Sequence, residues 1–388
     1  MKSNYEPLGK HIQLVDYRNS EEVTSTVLGI SIDKEFMPSV ANVIGTDLSR
    51  YKLISKGLFA CNPMHVGRDE RLPIALYEKD SPAIVSPAYF MFEIIDRDVL
   101  NEEYLMMWFR RPEFDRECWF MTDGSVRGGI TWDDLCRIKL PVPSYARQCE
   151  IVESYRAITD RIALKRAEND NLAAQAQTYF SSVFMGKDNE DVLPEGWKFA
   201  KVGDYCIENI ANLSKSDAFN TILYLDTGSI TDNYIFEVQE LNLSTDEIPS
   251  RAKRKTMHGD IIYSTVRPNL RHYGLLQNPP DNLIVSTGFA VLHNKGLEVS
   301  NYFLFMWLTT KSILEYLQAI AENSVSTYPS LNVSDLLNVE IIVPDDITLA
   351  NINHFLTSIF SSISENNRQI KMLTSSLSTL LPKLLSSR

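Results

Sequence analysis

The densest basic cluster in the chain is Arg251, Lys253, Arg254 and Lys255, followed by Arg267, Asn269, Arg271 and His272. Arginine and asparagine carry paired hydrogen-bonding groups that match guanine and adenine edges, and loop lysines and arginines neutralise phosphates. Pro268 inside STVRPNLRH (264–272) argues for a strand end or loop. The first half offers a thinner set: Asn62, His65, Arg68, Arg71 and Arg127. Arg127 lies in SVRGGI (125–130), whose glycines permit close backbone approach to a phosphate or base. Ser326, Thr327 and Tyr328 hold the place equivalent to Arg127, suited to phosphate or sugar contact or to shaping the loop. Plainer readings stand beside these. The Arg251–His272 cluster has the plainer reading of a solvated basic turn, and Arg68-Asp69-Glu70-Arg71 that of a self-paired surface patch.

Groups suited to catalysis do not assemble. Asn278-Pro279-Pro280-Asp281 approaches the N/D-P-P-aromatic string of amino-methyltransferases, but Asp281 stands where a ring would stack on a flipped base. We read it as a turn. No glycine-rich cofactor loop follows a strand, and there is no Walker A string. Asp133-Asp134 and Asp345-Asp346 fall at expected helix starts, where carboxylates favour the dipole. The six histidines show no H-E-x-x-H spacing, and the five cysteines no C-x-x-C. The expectation is a binding protein that is not an enzyme, holds no metal, and lives reduced in the cytoplasm. No apolar run is long enough to span a membrane. The net charge of −12 is unusual for a nucleic-acid binder, so DNA contact must rest on the local clusters and on charge supplied by partners.

These residues are carried by a unit written twice. One heptad seam runs Ile151, Tyr155, Ile158, Ile162, Lys165, Asn169, Leu172, Ala176, Tyr179, Val183. A second runs Ile352, Leu356, Ile359, Ile363, Asn366, Ile370, Leu373, Leu377, Leu380, Leu384, each residue 201 positions after its counterpart. The 4-3-4-3 steps are those of a two-helix coiled coil. Ahead of each seam the same parts recur: LGISI (28–32) and LYLDT (223–227), KGLFAC (56–61) and HGDIIYS (258–264), AIVSPAYFMF (83–92) and LIVSTGFAVL (283–292), NEEYLMMWF (101–109) and NYFLFMWL (301–308). Strands cluster with helices around them, which predicts two repeated α+β globules. Pro143 and Pro344 mark where each globule gives way to its helix, and Pro382 is expected to clip the last turn of the second. The expected organisation is globule 1–143, helix 144–187, linker and second globule 188–343, and helix 344–388. Polar Lys165, Asn169 and Asn366 sit at the seam midpoints, so they leave open whether the helices run parallel or antiparallel. Phe180, Phe184, Phe355 and Phe360 flank the seam, either as docking points for a partner or packed on the neighbouring globule.

The layout resembles the specificity subunit of a type I restriction-modification system. The strings that carry the resemblance are LPEGW (193–197), GDIIYSTVRPNLR (259–271), FACNPMHVGR (59–68) with IVSPAYFMF (84–92), and the Val-Pro-then-helix junctions. The first half departs by opening at YEPLGKH (5–11) without an LPEGW-type string. The resemblance implies two target-recognition domains, each reading half of a split sequence in double-stranded DNA, separated by two helices that pair as an antiparallel coiled coil with pseudo-two-fold symmetry. It implies docking of two DNA adenine methyltransferase subunits and of restriction (endonuclease and translocase) subunits. S-adenosylmethionine, ATP and Mg²⁺ would then belong to those partners. A helix of about 40 residues spans roughly 60 Å; globules held about 50–60 Å apart would sit over roughly 15 base pairs at about 3.4 Å per step. The alternatives are a coiled-coil scaffold bearing two protein-binding domains, a specificity module of a related methyltransferase or nuclease system, and a self-sufficient enzyme, whose motifs are missing.

Overall fold

The computed structural model describes residues 5–39, 45–64, 66–122, 128–184, 193–214, 216–323 and 329–385. It divides into two compact units, Met1–Leu164 with Ile370–Arg388, and Lys165–Gln369.

Unit 1 is α+β. Strand β1 (Tyr5–Pro7) pairs antiparallel with β10 (Lys139–Pro141). One four-stranded sheet has the order β2 (Ile12–Leu14), β9 (Phe90–Ile94), β6 (Phe59–Cys61), β7 (Ile74–Leu76). The other has the order β4 (Phe36–Pro38), β3 (Val27–Ile30), β8 (Ala83–Val85), β5 (Lys52–Ile54), with β3 and β8 parallel. Helices α1 (Val66–Asp69), α2 (Glu102–Phe109), α3 (Pro112–Phe120) and α4 (Trp132–Arg137) complete the globule. Its core stacks Phe59 on Phe92, with Phe109 edge-on to both. Helix α2 starts where the Asn101 side chain accepts from the Glu103 and Tyr104 amides, as an N-cap should.

Unit 2 repeats this plan. Strand β11 (Lys198–Lys201) pairs with β22 (Glu340–Val343). One sheet has the order β12 (Cys206–Glu208), β21 (Phe289–Asn294), β18 (Ile261–Ser264), β19 (Tyr273–Leu275). The other has the order β16 (Gln239–Asn242), β13 (Thr221–Leu225), β20 (Leu283–Ser286), β17 (Ala252–Lys255), and β13 and β20 are again its parallel pair. Helices α6 (Val202–Tyr205), α7 (Asn301–Leu308), α8 (Lys311–Glu322) and α9 (Val333–Leu337) follow. One element has no counterpart among the described residues of unit 1: a short hairpin of β14 (Ile230–Thr231) and β15 (Tyr234–Ile235). Its turn residues, Asp232 and Asn233, both have positive φ, as a tight two-residue hairpin requires.

The long helices are α5 (Tyr145–Phe184) and α10 (Asp346–Leu385). They pair antiparallel. In unit 2, Lys165 bonds Asn366 at 2.8 Å while Tyr179, further along α5, stacks against Phe355, earlier in α10, at 4.4 Å. Leu172, Ala176 and Tyr179 share a core with Ile352, Leu356, Ile359 and Ile363. In unit 1, Ile151 and Tyr155 share a core with Leu381, Leu384 and Leu385. Ile162 is buried there, and Ile158, Ile370, Leu373 and Leu377 are half-buried. The polar seam residues form a satisfied layer. Lys165 Nζ donates to Asn366 Oδ1, Asn366 Nδ2 to Asn169 Oδ1 (2.9 Å), and Asn169 Nδ2 to Asn367 Oδ1 (2.8 Å).

One open alternative closes and two sequence expectations change. Phe180, Phe184 and Phe360 pack on the neighbouring globule, buried with Phe303, Phe305 and Trp307 of α7, and Phe355 lies on Tyr179. Leu380 leaves the seam at 38% exposure, and Leu381 takes the buried place. The helix also continues through Pro382 to Leu385, because Leu385 is buried in the unit 1 core and holds the last turn.

Each long helix is fastened to its own globule. Gln148, fully buried at the start of α5, donates to the carbonyls of Val99 (2.8 Å) and Pro143 (2.9 Å) and accepts from the Asn101 amide (2.8 Å). In unit 2, Asn353 donates to Glu298 O and accepts from Ser300 Oγ. Trp197 of LPEGW donates to Asp345, which caps α10 by accepting from the Thr348 amide. Gln148→Leu strands three backbone groups in an apolar setting. It is expected to lower the stability of unit 1 by about 1–3 kcal/mol, read as a shifted denaturant midpoint.

Candidate nucleic-acid interface

The β18–β19 connection (265–272) holds four of the basic and amide candidates: Arg267, Asn269, Arg271 and His272. It is a built loop. Residues Pro268–Leu270 make a 3-10 turn flanked by Arg267 (φ 49) and Arg271 (φ 58), both left-handed. Non-glycine residues persist in that region only when their surroundings hold them there. The restraints are visible. The Arg267 amide donates to Pro329 O (2.9 Å), the Leu331 amide to Thr265 O (2.7 Å), and the Thr265 amide to Gly288 O (2.9 Å). The Asn269 amide donates to Gln318 Oε1 on α8 (3.0 Å). Pro268 is buried, while Arg267, Asn269 and Arg271 face solvent.

The hairpin β14–β15 braces the far end of this loop. Asp232 Oδ1 lies 2.7 Å from Arg271 Nε and accepts from the Tyr273 hydroxyl at 2.8 Å. The Asp232 and Asn233 amides donate to the carbonyls of Arg271 and Tyr273. Asn233 Oδ1 accepts from the Leu275 amide at 2.8 Å. His272 turns toward the hairpin, its Nδ1 2.6 Å from Ile230 O, which requires a proton on that nitrogen. Gly274 lets the hairpin approach closely: a Cβ there would sit 2.6 Å from Ile230 Cδ1, so a larger residue would require that side chain to shift.

Lys253, Arg254 and Lys255 belong to the other sheet, on edge strand β17. Lys253 is exposed. Arg254 is half-buried next to a bulge, its Nη1 lacks a hydrogen-bond partner, and desolvation lowers its pKa. Lys255 is engaged with Asp217 at 2.6 Å, and its hydrogen bond pulls the Asp217 carboxyl below its usual range. This strand reaches the loop at its beginning, where the Thr287 amide donates to Arg251 O and Thr265 to Gly288 O.

In unit 1 the topologically equivalent β6–β7 connection carries Asn62, Arg68 and Arg71. Asn62 Oδ1 accepts from the Met64 amide. Arg68 forms two bonds to Asp69, at 2.6 and 2.9 Å, and Arg71 Nη1 reaches Asp33 at 3.3 Å. The segment after SVR lies along this loop as 329–331 lies along its counterpart: Gly67 donates to Gly128 O, and Ile130 to Pro63 O. The close approach Gly129 permits is to the Pro63 carbonyl, 2.8 Å from where a Cβ would stand. His65, Arg127, Thr327 and Tyr328, with Ser326, lie outside the described residues. Asp134 bonds Thr131 at the start of α4, and Asn278, with positive φ, opens the turn at 278–281.

Both units thus present the same strand–loop–strand with arginine and asparagine side chains on it. Residues 194–374 match the model of the type I restriction modification DNA specificity domain. Those residues, nearly half of the chain, are similar to that family. Among members of the specificity family, the HindI type I restriction enzyme specificity subunit of Haemophilus influenzae is 29% identical over 187 residues, 48% of this chain and 40% of that protein. The MjaIX specificity subunit of Methanocaldococcus jannaschii is 24% identical over 314 residues, 75% of this chain and 70% of that one. The first of these matches thus spans less than half of its relative. The crystal structure of a type I S subunit from M. genitalium aligns over 100% of this chain and 97% of its own, with TM-score 0.56 and 14% identity, a likeness of fold. No described helix is long and apolar enough to cross a membrane.

Sequence reasoning found the loop but missed Asp232, Asn233 and Gln148. Asp232-Asn233 was detectable as a hairpin-turn dipeptide. Its reach to Arg271 had no local signal.

Proposed function

We propose that this chain is the sequence-specificity subunit of a type I restriction-modification complex, each globule reading one half of a bipartite site in duplex DNA. The observation that carries the reading is the duplicated strand–loop–strand bearing Arg68, Arg71 and Asn62 in one unit and Arg267, Asn269 and Arg271 in the other, together with the similarity of residues 194–374 to the type I specificity domain. The antiparallel helices set the spacer and dock two adenine methyltransferase subunits. Restriction subunits join the full complex. The chain itself contributes recognition and no bond-making step. S-adenosylmethionine, ATP and Mg²⁺ act on the partner subunits. With a net charge of −12, the chain depends on those partners for much of the positive field around the DNA.

The test is fluorescence anisotropy of the chain–methyltransferase complex on duplexes at rising salt. A specific duplex is expected to be held more tightly than random sequence at every salt concentration, with affinity falling linearly on a log–log plot. Equal affinity for all duplexes would contradict the reading and favour a protein scaffold.

A further inference from the structure

Arg271 is held in an unusual way for a surface arginine. Its Nε side is occupied, 2.7 Å from Asp232 Oδ1 and 3.4 Å from the Tyr273 hydroxyl. Tyr273 also donates to Asp232, so carboxylate, phenol and guanidinium form one closed set. The backbone of Arg271 is left-handed and pinned by the Asp232 amide on its carbonyl. Among the described residues, Nη1 and Nη2 donate no hydrogen bond, and the side chain is 54% exposed. A guanidinium bound along its Nε side and open at its two terminal nitrogens has lost most of its torsional freedom. It presents a flat two-donor fork to solvent. Guanine is the base whose major-groove edge offers two adjacent acceptors, O6 and N7, to such a fork. A phosphate also accepts such a fork, but a phosphate contact carries no sequence information, so base preference separates the two.

Unit 1 supplies the contrast. There Asp33 lies on the turn after β3, the place of the hairpin, and meets Arg71 at the end of β6–β7. But it meets Nη1, so the fork itself is engaged.

We infer that Arg271, oriented by Asp232 and Tyr273, reads a guanine through O6 and N7 in the half-site of unit 2, with Asp232 as a positioning residue. This rests on unit 2 reading DNA as proposed above. The experiment selects duplexes from a pool randomised in both half-sites, using the complete chain with its methyltransferase subunits. It compares wild type with Arg271→Lys and Asp232→Asn. Wild type is expected to require guanine at one position of one half-site. Arg271→Lys keeps the charge but not the fork. It should lose that preference by on the order of tenfold to a hundredfold, with every preference in the other half-site intact. That intact half also shows the variant is folded. Asp232→Asn should weaken the same position and no other. Wild-type complex on DNA with 7-deazaguanine at that position, which lacks the N7 acceptor, should lose affinity independently of any variant. The inference is overturned if Arg271→Lys lowers binding evenly across all sequences, if the affected position is not guanine, or if 7-deazaguanine binds as guanine does. A wild-type complex with no sequence preference in either half overturns the underlying functional reading instead.

Discussion

Adding one heptad to each long helix, in register, will lengthen the spacer of the methylated sequence by roughly three base pairs and leave both half-sites unchanged. Seven residues extend a helix by about 10.5 Å, and base pairs stack at about 3.4 Å. The insertion belongs between Ile162 and Leu172 in α5 and between Ile363 and Leu373 in α10, beside the polar layer of Lys165, Asn169 and Asn366. A heptad preserves the 3.5-residue seam, so Ile151 and Tyr155 keep their shared core with Leu381 and Leu385, and Tyr179 keeps Phe355. Neither globule is touched. Three base pairs also turn the duplex by roughly a third of a turn, so the extent of methylation should fall even as the motif lengthens. An inserted block of four residues rotates the seam and should abolish activity instead. Sequencing of modified DNA reads all of this. An unchanged spacer, or altered half-sites, contradicts the ruler.

Asp115→Ala is expected to cost unit 1 about 3–5 kcal/mol, the largest stability effect of any single change considered. Lys34 sits in the turn after β3 with positive φ, and its side chain is only 4% exposed. Its ammonium donates to Phe109 O at 2.5 Å and to Asp115 Oδ1 at 2.6 Å, over the Phe114 ring. Burial pushes the Lys34 pKa down, and Asp115 opposes that shift. Asp115 Oδ1 also accepts from the Leu72 amide at 3.0 Å. Removing the carboxylate therefore strands a buried cation and a buried amide together. The double variant Lys34→Met, Asp115→Leu removes both buried charges and should recover part of the loss, the remainder coming from the Leu72 amide and Phe109 carbonyl left without partners. Chemical denaturation followed by tryptophan fluorescence distinguishes the cases. A single-variant loss below about 1 kcal/mol would mean the cation finds water. In the complex, Asp115→Ala should blur one half of the target and spare the other.

How much of this was written plainly in the sequence depends on the range of the interaction. The seam from Ile151 to Leu384 is legible because a 3.5-residue period is local information repeated many times. The doubled α+β plan follows from strings such as AIVSPAYFMF and LIVSTGFAVL recurring in order. The STVRPNLRH loop announces itself through Pro268 and its charges. What pairs at long range did not show. Lys34 meets Asp115 across 81 residues, and Asp232 meets Tyr273 across 41. Nothing near either residue signals its partner. For Phe180, Phe184 and Phe360 the sequence left docking and packing open, because a seam plot cannot show that α7 covers that side of the helices. Leu380 kept the heptad on paper, but the unit 1 core takes Leu381. Lys255 scored as a DNA contact by charge alone, and the structure engages it with Asp217.

The most direct test of the central claim is to co-purify this chain with the methyltransferase encoded beside its gene and sequence the modified adenines of DNA exposed to the complex. A split motif with a fixed spacer is expected, absent when the chain is left out. A stable complex whose methylation is unselective, or unchanged without this chain, would contradict its role as the specificity subunit.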